Sequence, residues 1–151
     1  MEVGIISDTH GLMRPEALAA LAGSDLIIHA GDIGKPEVLR ALQRLAPTFA
    51  VRGNVDEGPW SNLLPEQLDV AVGSLRFHVL HRIADLLIDP AKERIAAVIY
   101  GHSHKPAIEW RGDLLFLNPG SAGPRRFNLP ITVARVRASG STIKPELLSL
   151  L

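Results

Sequence analysis

The sequence predicts an α/β fold in which two mixed β-sheets pack face to face as a β-sandwich, flanked by α-helices. Three observations carry that prediction. Short apolar runs alternate with amphipathic segments through the first third of the chain, as in strand–helix–strand units. Later runs pair around glycine-containing turns, which suits antiparallel hairpins. The 151 residues are 46% apolar and 21% charged, enough chain and enough apolar side chain for a real core.

Val3–Ser7 reads as a buried strand because its residues are apolar without alternation. Pro15–Leu21 reads as a helix, with a proline suited to a first turn, and Leu26–Ala30 as a second strand. Pro36–Leu45 repeats the pattern, with Val38, Leu39, Leu42 and Leu45 on one face, and Thr48–Val51 is a third strand. Gln67–Val72 and Leu75–Leu80 flank a Val72-Gly73-Ser74 turn. Pro90–Arg94 reads as a short helix before the strand Ala96–Tyr100. Ala107–Trp110 and Leu114–Leu117 flank Arg111-Gly112-Asp113, and Ile131–Arg137 with Ser141–Ser149 close the chain as a pair. Without repeats, linkers or low-complexity tracts, one domain over residues 1–151 is expected.

Composition excludes several classes of function. The chain has no cysteine, which removes disulfides, thiolate metal sites and cysteine nucleophiles, and fits a reducing cytoplasm. No basic start leads into an apolar leader, and no apolar run approaches the ~18–20 residues of a membrane span. Sixteen basic residues balance sixteen acidic ones, so neither a polybasic nucleic-acid binder nor a membrane-surface protein is expected. The balance is uneven along the chain. Residues 1–75 carry five basic and ten acidic side chains, and residues 76–151 carry eleven basic and six acidic.

The chemistry gathers at the ends of the apolar runs. Ile5-Ile6-Ser7 leads to Asp8-Thr9-His10, and Ile28-His29-Ala30 to Gly31-Asp32. Val51-Arg52 leads to Gly53-Asn54, Val79-Leu80 to His81, and Ile99-Tyr100 to Gly101-His102-Ser103-His104. Open α/β sheets bind ligands beyond the carboxyl ends of their strands. Glycines before Asp32, Asn54 and His102 let the backbone turn sharply and approach a bound ion. Carboxylate, imidazole and amide donors without sulfur suit Mn²⁺, Fe²⁺ or Zn²⁺. More donors are present than one tetrahedral site needs, so two ions are expected, clamping an in-line displacement.

In that order, Asp8-x-His10, Gly31-Asp32, Gly53-Asn54, His81 and Gly101-His102-x-His104 resemble the calcineurin-like metallophosphoesterases. The short chain and Asn118-Pro119-Gly120-Ser121 make it look like their small bacterial and archaeal phosphodiesterase branch. The resemblance implies the four-layer αββα fold of that family and two divalent ions, Mn²⁺ first, with Fe²⁺, Zn²⁺ or Ni²⁺ as alternatives. It further implies that Asp8, His10 and His104 hold one metal, that Asn54, His81 and His102 hold the other, and that Asp32 bridges them. Asn54, His10 and Asp32 would be the catalytic residues, with a metal-activated water attacking phosphorus directly. The substrate implied is a small phosphodiester or other phosphate ester, with no stable nucleic-acid binding, and a homo-oligomer (dimer or tetramer) is compatible with the branch.

Two positions depart from the wider family. Many members follow the asparagine with a histidine that protonates the leaving group, where this chain has Val55. Many carry glycine after the fourth strand's histidine, where this chain has Arg82-Ile83. His78 competes locally with His81, and the strand-end position favours His81. His29, inside an apolar run, reads as a core histidine able to orient a ligand. Arg125 and Arg126 are candidate substrate contacts, Arg52 and Lys105 are expected to point off the site, and Trp60 is expected in the core. The alternative from another class is a non-catalytic interaction scaffold of the same fold, like the retromer subunit that resembles this family.

Overall fold

The computed structural model describes residues 1–151. The first strand, β1 (Glu2–Ile6), is followed by α1 (Pro15–Leu21), β2 (Leu26–His29), α2 (Pro36–Gln43) and β3 (Thr48–Ala50). These three strands are mutually parallel, because each crossover runs through a helix or its connecting loops. Five strands follow: β4 (Gln67–Val72), β5 (Leu75–Leu80), β6 (Ala97–Ile99), β7 (Ala107–Arg111) and β8 (Leu114–Asn118). The chain ends in the hairpin of β9 (Thr132–Ser139) and β10 (Thr142–Ser149). In this hairpin β9 pairs antiparallel with β1, giving a first sheet in the order β10-β9-β1-β2-β3.

The second sheet runs β4-β5-β6-β8-β7. It too has a parallel centre, β5, β6 and β8, with antiparallel hairpins formed through β4 and β7 at its edges. The expected architecture of two packed mixed sheets is therefore what the chain adopts. Val3, Ile5 and Ile28 from one sheet and Phe77, Val79, Ile99, Leu115 and Leu117 from the other are fully buried in the layer between them. Side chains of this size each contribute about 1.5–3 kcal/mol when removed from water.

Central parallel strands bury both faces. Ile6, Ile27 and Ala50 turn the opposite way from the sandwich core and meet Ala17, Leu21, Val38 and Leu42 of the two helices, with Trp60 against the same cluster. The outer face of the second sheet is covered differently. Leu80, Val98 and Phe116 lie under Leu86, Ile88 and Ile95, in the connection between β5 and β6. The helix expected over Pro90–Arg94 is a turn within this connection. Glu93 donates to the Asp89 carbonyl and Ile95 to that of Pro90, and Arg94 enters the left-handed region at φ 56°, which ends any helical run after one turn.

The topology decides the placement of the site. Six parallel strands, three in each sheet, point their carboxyl ends at the same edge of the sandwich, so the segments after β1, β2, β3, β5, β6 and β8 meet there.

Candidate metal centre

Asp8 and His10 come from the segment after β1, Asp32 from that after β2, Asn54 from that after β3, His81 from the end of β5, and His102 with His104 from that after β6. Two groups form there. One potential ligand atom from each of Asp8, His10 and His104 lies within 4.8 Å of the others, and the same holds for Asp32, His81 and His102. The groups adjoin. His10 Nε2 is 3.9 Å from Asp8 Oδ1 and 3.6 Å from Asp32 Oδ2, and His81 Nε2 is 3.2 Å from the same Asp32 oxygen. Asn54 is exposed and lines a groove beside His81.

The backbone at this edge is strained. Asp8, His10, Asp32, His102 and His104 all take positive φ, between 47° and 74°. Left-handed conformations at non-glycine residues cost about 1–3 kcal/mol each and persist only where surrounding structure imposes them. Two glycines show what imposes it. Gly31 has φ +100°, and a Cβ there would stand 2.7 Å from His81 Nδ1. A Cβ on Gly101 would press on the Ser7 hydroxyl and stand 2.7 Å from Asp8 Oδ2. Side chains at either position would push apart strand ends that must converge.

A set of hydrogen bonds aims the donors inward. Asp8 Oδ2 accepts from the Ser7 hydroxyl at 2.7 Å and from the His102 N–H at 3.0 Å, leaving Oδ1 free. Asp32 Oδ1 accepts from the Val55 N–H at 3.0 Å, leaving Oδ2 toward the histidines. His81 Nδ1 donates to the Ala30 carbonyl at 2.7 Å, leaving Nε2 facing the carboxylates. Asp8 Oδ1, His10 Nε2, His81 Nε2 and His104 Nδ1 are buried without a hydrogen-bond partner. Buried polar atoms left this way cost free energy unless something fills the space between them. Two carboxylates among four imidazoles match the donor chemistry of a divalent cation site.

Electrostatics separates the two carboxyls. Burial pushes Asp8 above the ordinary carboxylate range despite the opposing pull of His81, Ser7 and His104. Burial would also raise Asp32, but the adjacent His81 ring, the Val55 N–H and His10 outweigh it and hold Asp32 down to about 2. For His81, burial acts to lower the value, yet Asp32, Asp8 and the Ala30 carbonyl raise it. Burial depresses His104, partly countered by Asp8 and reinforced by the positive charge of Arg126.

Structure also sorts the remaining candidates. His78 is turned away from the cluster, its ring nitrogens facing Asp69 at 2.6 Å and Gln67 at 2.8 Å. His29 is fully buried, as expected, but it makes no hydrogen bond to a candidate ligand side chain. Its Nδ1 accepts from the Gly31 N–H at 3.1 Å, and its Nε2–H donates to Thr9 at 3.0 Å, whose hydroxyl passes on to the Ile33 carbonyl at 2.9 Å. It positions the backbone between Asp8 and His10 and before Asp32. Burial pushes it down to about 3, so the ring is neutral.

The arginine pair divides. Arg125 donates to the Leu129 carbonyl at 3.4 Å within its own loop, while Arg126 lines a cavity with His102. Arg52 and Lys105, expected to point off the site, line the two cavities that flank it. Arg52 pairs with Glu66 at 3.0 Å in the groove beside Asn54, and Lys105 lines the cavity beside His102. Their neighbours after β3 and β6 are the candidate ligands themselves, so the same strand ends carry both.

Several supporting residues lie outside the set of candidate ligands. Ser121 donates to the Asp8 carbonyl at 3.0 Å, and Asn118 donates to the Gly101 carbonyl and to Ser103, each at 3.2 Å. Buried Asp56 accepts from Gly34 and Gly53, tying the segments after β2 and β3 together at 2.9 and 2.8 Å. Of these, Asn118 and Ser121 carry a signal in the sequence, through the Asn118-Pro119-Gly120-Ser121 resemblance, and Asp56 carries none.

Comparison with known proteins bears on the family and the fold. Residues 1–141 match the family model of the calcineurin-like phosphoesterase superfamily domain. A probable metallophosphoesterase of Methanothermobacter thermautotrophicus is 35% identical, covering 98% of this chain and 92% of its own. A phosphodiesterase of Methanocaldococcus jannaschii is 28% identical over 80% of this chain and 83% of its own. Among solved structures, an archaeal phosphodiesterase superposes with a TM-score of 0.80 at 23% identity, covering 98% of this chain and all of that one. Vps29 of Entamoeba histolytica complexed with Zn²⁺ superposes with a TM-score of 0.75 at 22% identity over the full length of both chains.

Proposed function

The chain belongs to the calcineurin-like phosphoesterase superfamily, and from that premise we propose that it is a phosphodiesterase working with two divalent ions. The observation that carries this reading is the convergence of unpartnered buried atoms, Asp8 Oδ1, His10 Nε2 and His81 Nε2, between two clusters of ligand-type residues. Asp8, His10 and His104 hold one ion, and Asn54, His81 and His102 hold the other. Asp32 lies between the groups, with its Oδ2 facing both His10 and His81, and would serve both ions. Mn²⁺ is the first choice of metal for this set of oxygen and nitrogen donors.

Bound divalent ions supply Lewis-acid polarisation of a phosphoryl oxygen and lower the pKa of water toward about 7. The chain's own groups do the rest. Asn54 stands in the groove beside His81, where its amide can donate to a phosphate oxygen. His10, partly exposed, stands between the two carboxylates, 3.9 Å from Asp8 Oδ1 and 3.6 Å from Asp32 Oδ2. Arg126 brings a guanidinium suited to phosphate on the opposite flank. Val55 next to Asn54 cannot transfer a proton, which favours esters with good leaving groups. A phosphodiesterase relative at 28% identity supports diesters as the substrate class. No helix is long and apolar enough to cross a membrane. The cysteine-free composition is in keeping with the reducing cytoplasm as the place of work.

The test joins metal analysis to activity. Wild-type protein is expected to hold about two ions per chain and to hydrolyse bis-p-nitrophenyl phosphate faster than p-nitrophenyl phosphate with Mn²⁺. Asp32→Ala should lose metal and activity together. A protein inactive with every divalent ion, whether or not it takes one up, would instead fit the interaction scaffold, whose support is fold likeness to Vps29.

A further inference from the structure

Two cavities open on either side of the carboxylate–imidazole cluster, separated by the edge-to-face pair of His81 and His102, whose ring centroids are 5.2 Å apart. A diester has two arms on one phosphorus, so a centre with a recess on each side suits it. The recesses differ in chemistry. In the one beside His81, of about 550 Å³, each arginine faces a carboxylate, Arg52 with Glu66 at 3.0 Å and Arg82 with Asp85 at 3.9 Å. Its cations are already neutralised.

The recess beside His102, of about 590 Å³, is lined by Lys105, Arg126, Phe127 and Asn128 and contains no carboxylate. Neither Lys105 nor Arg126 has an ion-pair partner, and the charge of Arg126 is felt at His104 in the cluster. Phe127 is 86% exposed. It is also held at φ 54°, where a bulky side chain is an outlier, in a turn closed by the Leu129 N–H on the Arg126 carbonyl at 3.1 Å. A large aromatic ring thus stands in water at the recess that carries the free cations. Stacking of a planar ring on such a surface contributes about 1–3 kcal/mol, and the Asn128 amide offers the donor and acceptor that a heterocycle edge pairs with.

We propose, building on the phosphodiesterase reading, that the Phe127 recess binds a planar heterocycle carried on one ester arm, which makes nucleotide-like phosphodiesters the substrate class. Arg126 and Lys105 face the anionic part of that arm, and Phe127 stacks on its ring.

The test compares two products that share a phosphate and differ in the arm. Binding of thymidine 5′-monophosphate and of methyl phosphate to Mn²⁺-loaded protein is measured by calorimetry for wild type, Phe127→Ala and Phe127→Tyr. Wild type is expected to bind the nucleotide at least about tenfold more tightly than methyl phosphate. Phe127→Ala should weaken nucleotide binding by about 5- to 100-fold and leave methyl phosphate within about twofold, while Phe127→Tyr restores it. Equal affinities in wild type, or an alanine effect common to both ligands, overturn the proposal. Hydrolysis of bis-p-nitrophenyl phosphate on the same samples separates the two readings. Phe127-dependent nucleotide binding without hydrolysis sinks the enzyme and supports the recess. Hydrolysis with Phe127-independent binding does the reverse.

Discussion

His81 Nε2 stands 3.2 Å from Asp32 Oδ2 while its other ring nitrogen is committed to the Ala30 carbonyl at 2.7 Å. The ring therefore presents one nitrogen to the cluster, able to take a proton or a metal. Asp32 and Asp8 raise the pKa of His81 against the effect of its burial. Without metal, the pair stabilises the fold below the ordinary histidine pKa, and that contribution fades as pH rises through the raised value. Metal loading should then release protons from this site, more than an unshifted histidine would at the same pH, read by calorimetry in buffers of different ionisation enthalpy. Loading with no proton release would contradict the assignment of His81.

The Ser7 hydroxyl is one of two donors that hold Asp8 Oδ2 and turn Oδ1 toward the cluster. Ser7→Ala removes that donor in a fully buried position. Partners of this kind are worth about 10- to 100-fold in metal affinity. A metal titration of Ser7→Ala should show such a loss with the fold retained by circular dichroism. Unchanged affinity would mean that the His102 N–H alone orients Asp8.

Acid should unfold the metal-free protein partly through His29. Its pKa is about 3 in the fold, against an ordinary value near 6.5. The unfolded chain then binds the extra proton between those values and the native state does not, so stability falls as pH drops through that window. The slope expected from this group is about 1.4 kcal/mol per pH unit. Urea unfolding of His29→Gln between pH 7 and 4 should give a shallower pH dependence than wild type, whatever its absolute stability. Parallel pH profiles would exclude His29 as the source.

Gly31→Ala tests the strained loop between β2 and Asp32. The new Cβ meets the His81 ring, and the backbone stays at φ +100°. A cost of about 1–3 kcal/mol should lower Tm by about 2–10 °C, with loss of metal at the His81 group. A variant with wild-type Tm and full metal content would show that the two loops can separate freely.

How much of this is legible in the sequence varies by residue. Asp8, His10, Asp32, His102 and His104 stand directly after apolar runs, and the period of those runs locates their strands to within a few residues. Over Pro90–Arg94 a turn stands where a helix is expected, because five residues hold too little periodicity to separate one turn from a helix. The positive φ of Arg94, which ends that turn, leaves no mark in its residue type. Likewise His78 and His81 lie three residues apart at the end of β5, and only pairing shows that His78 is spent on Asp69 and Gln67.

By itself the sequence determined which residue types follow which strand, and hence that oxygen and nitrogen donors without sulfur gather at one edge of a two-sheet sandwich. Tertiary structure alone decided what those donors do together. Ser121 beneath Asp8, Asp56 between Gly34 and Gly53, and Arg126 lining the cavity beside His102 while Arg125 closes its own loop are placements that residue types do not announce. The physical reason is that a strand's end fixes where a side chain begins. Its direction, its free lone pair and its charge are set by neighbours that the parallel strands bring in from far along the chain, as Ser121 reaches Asp8 across 113 residues.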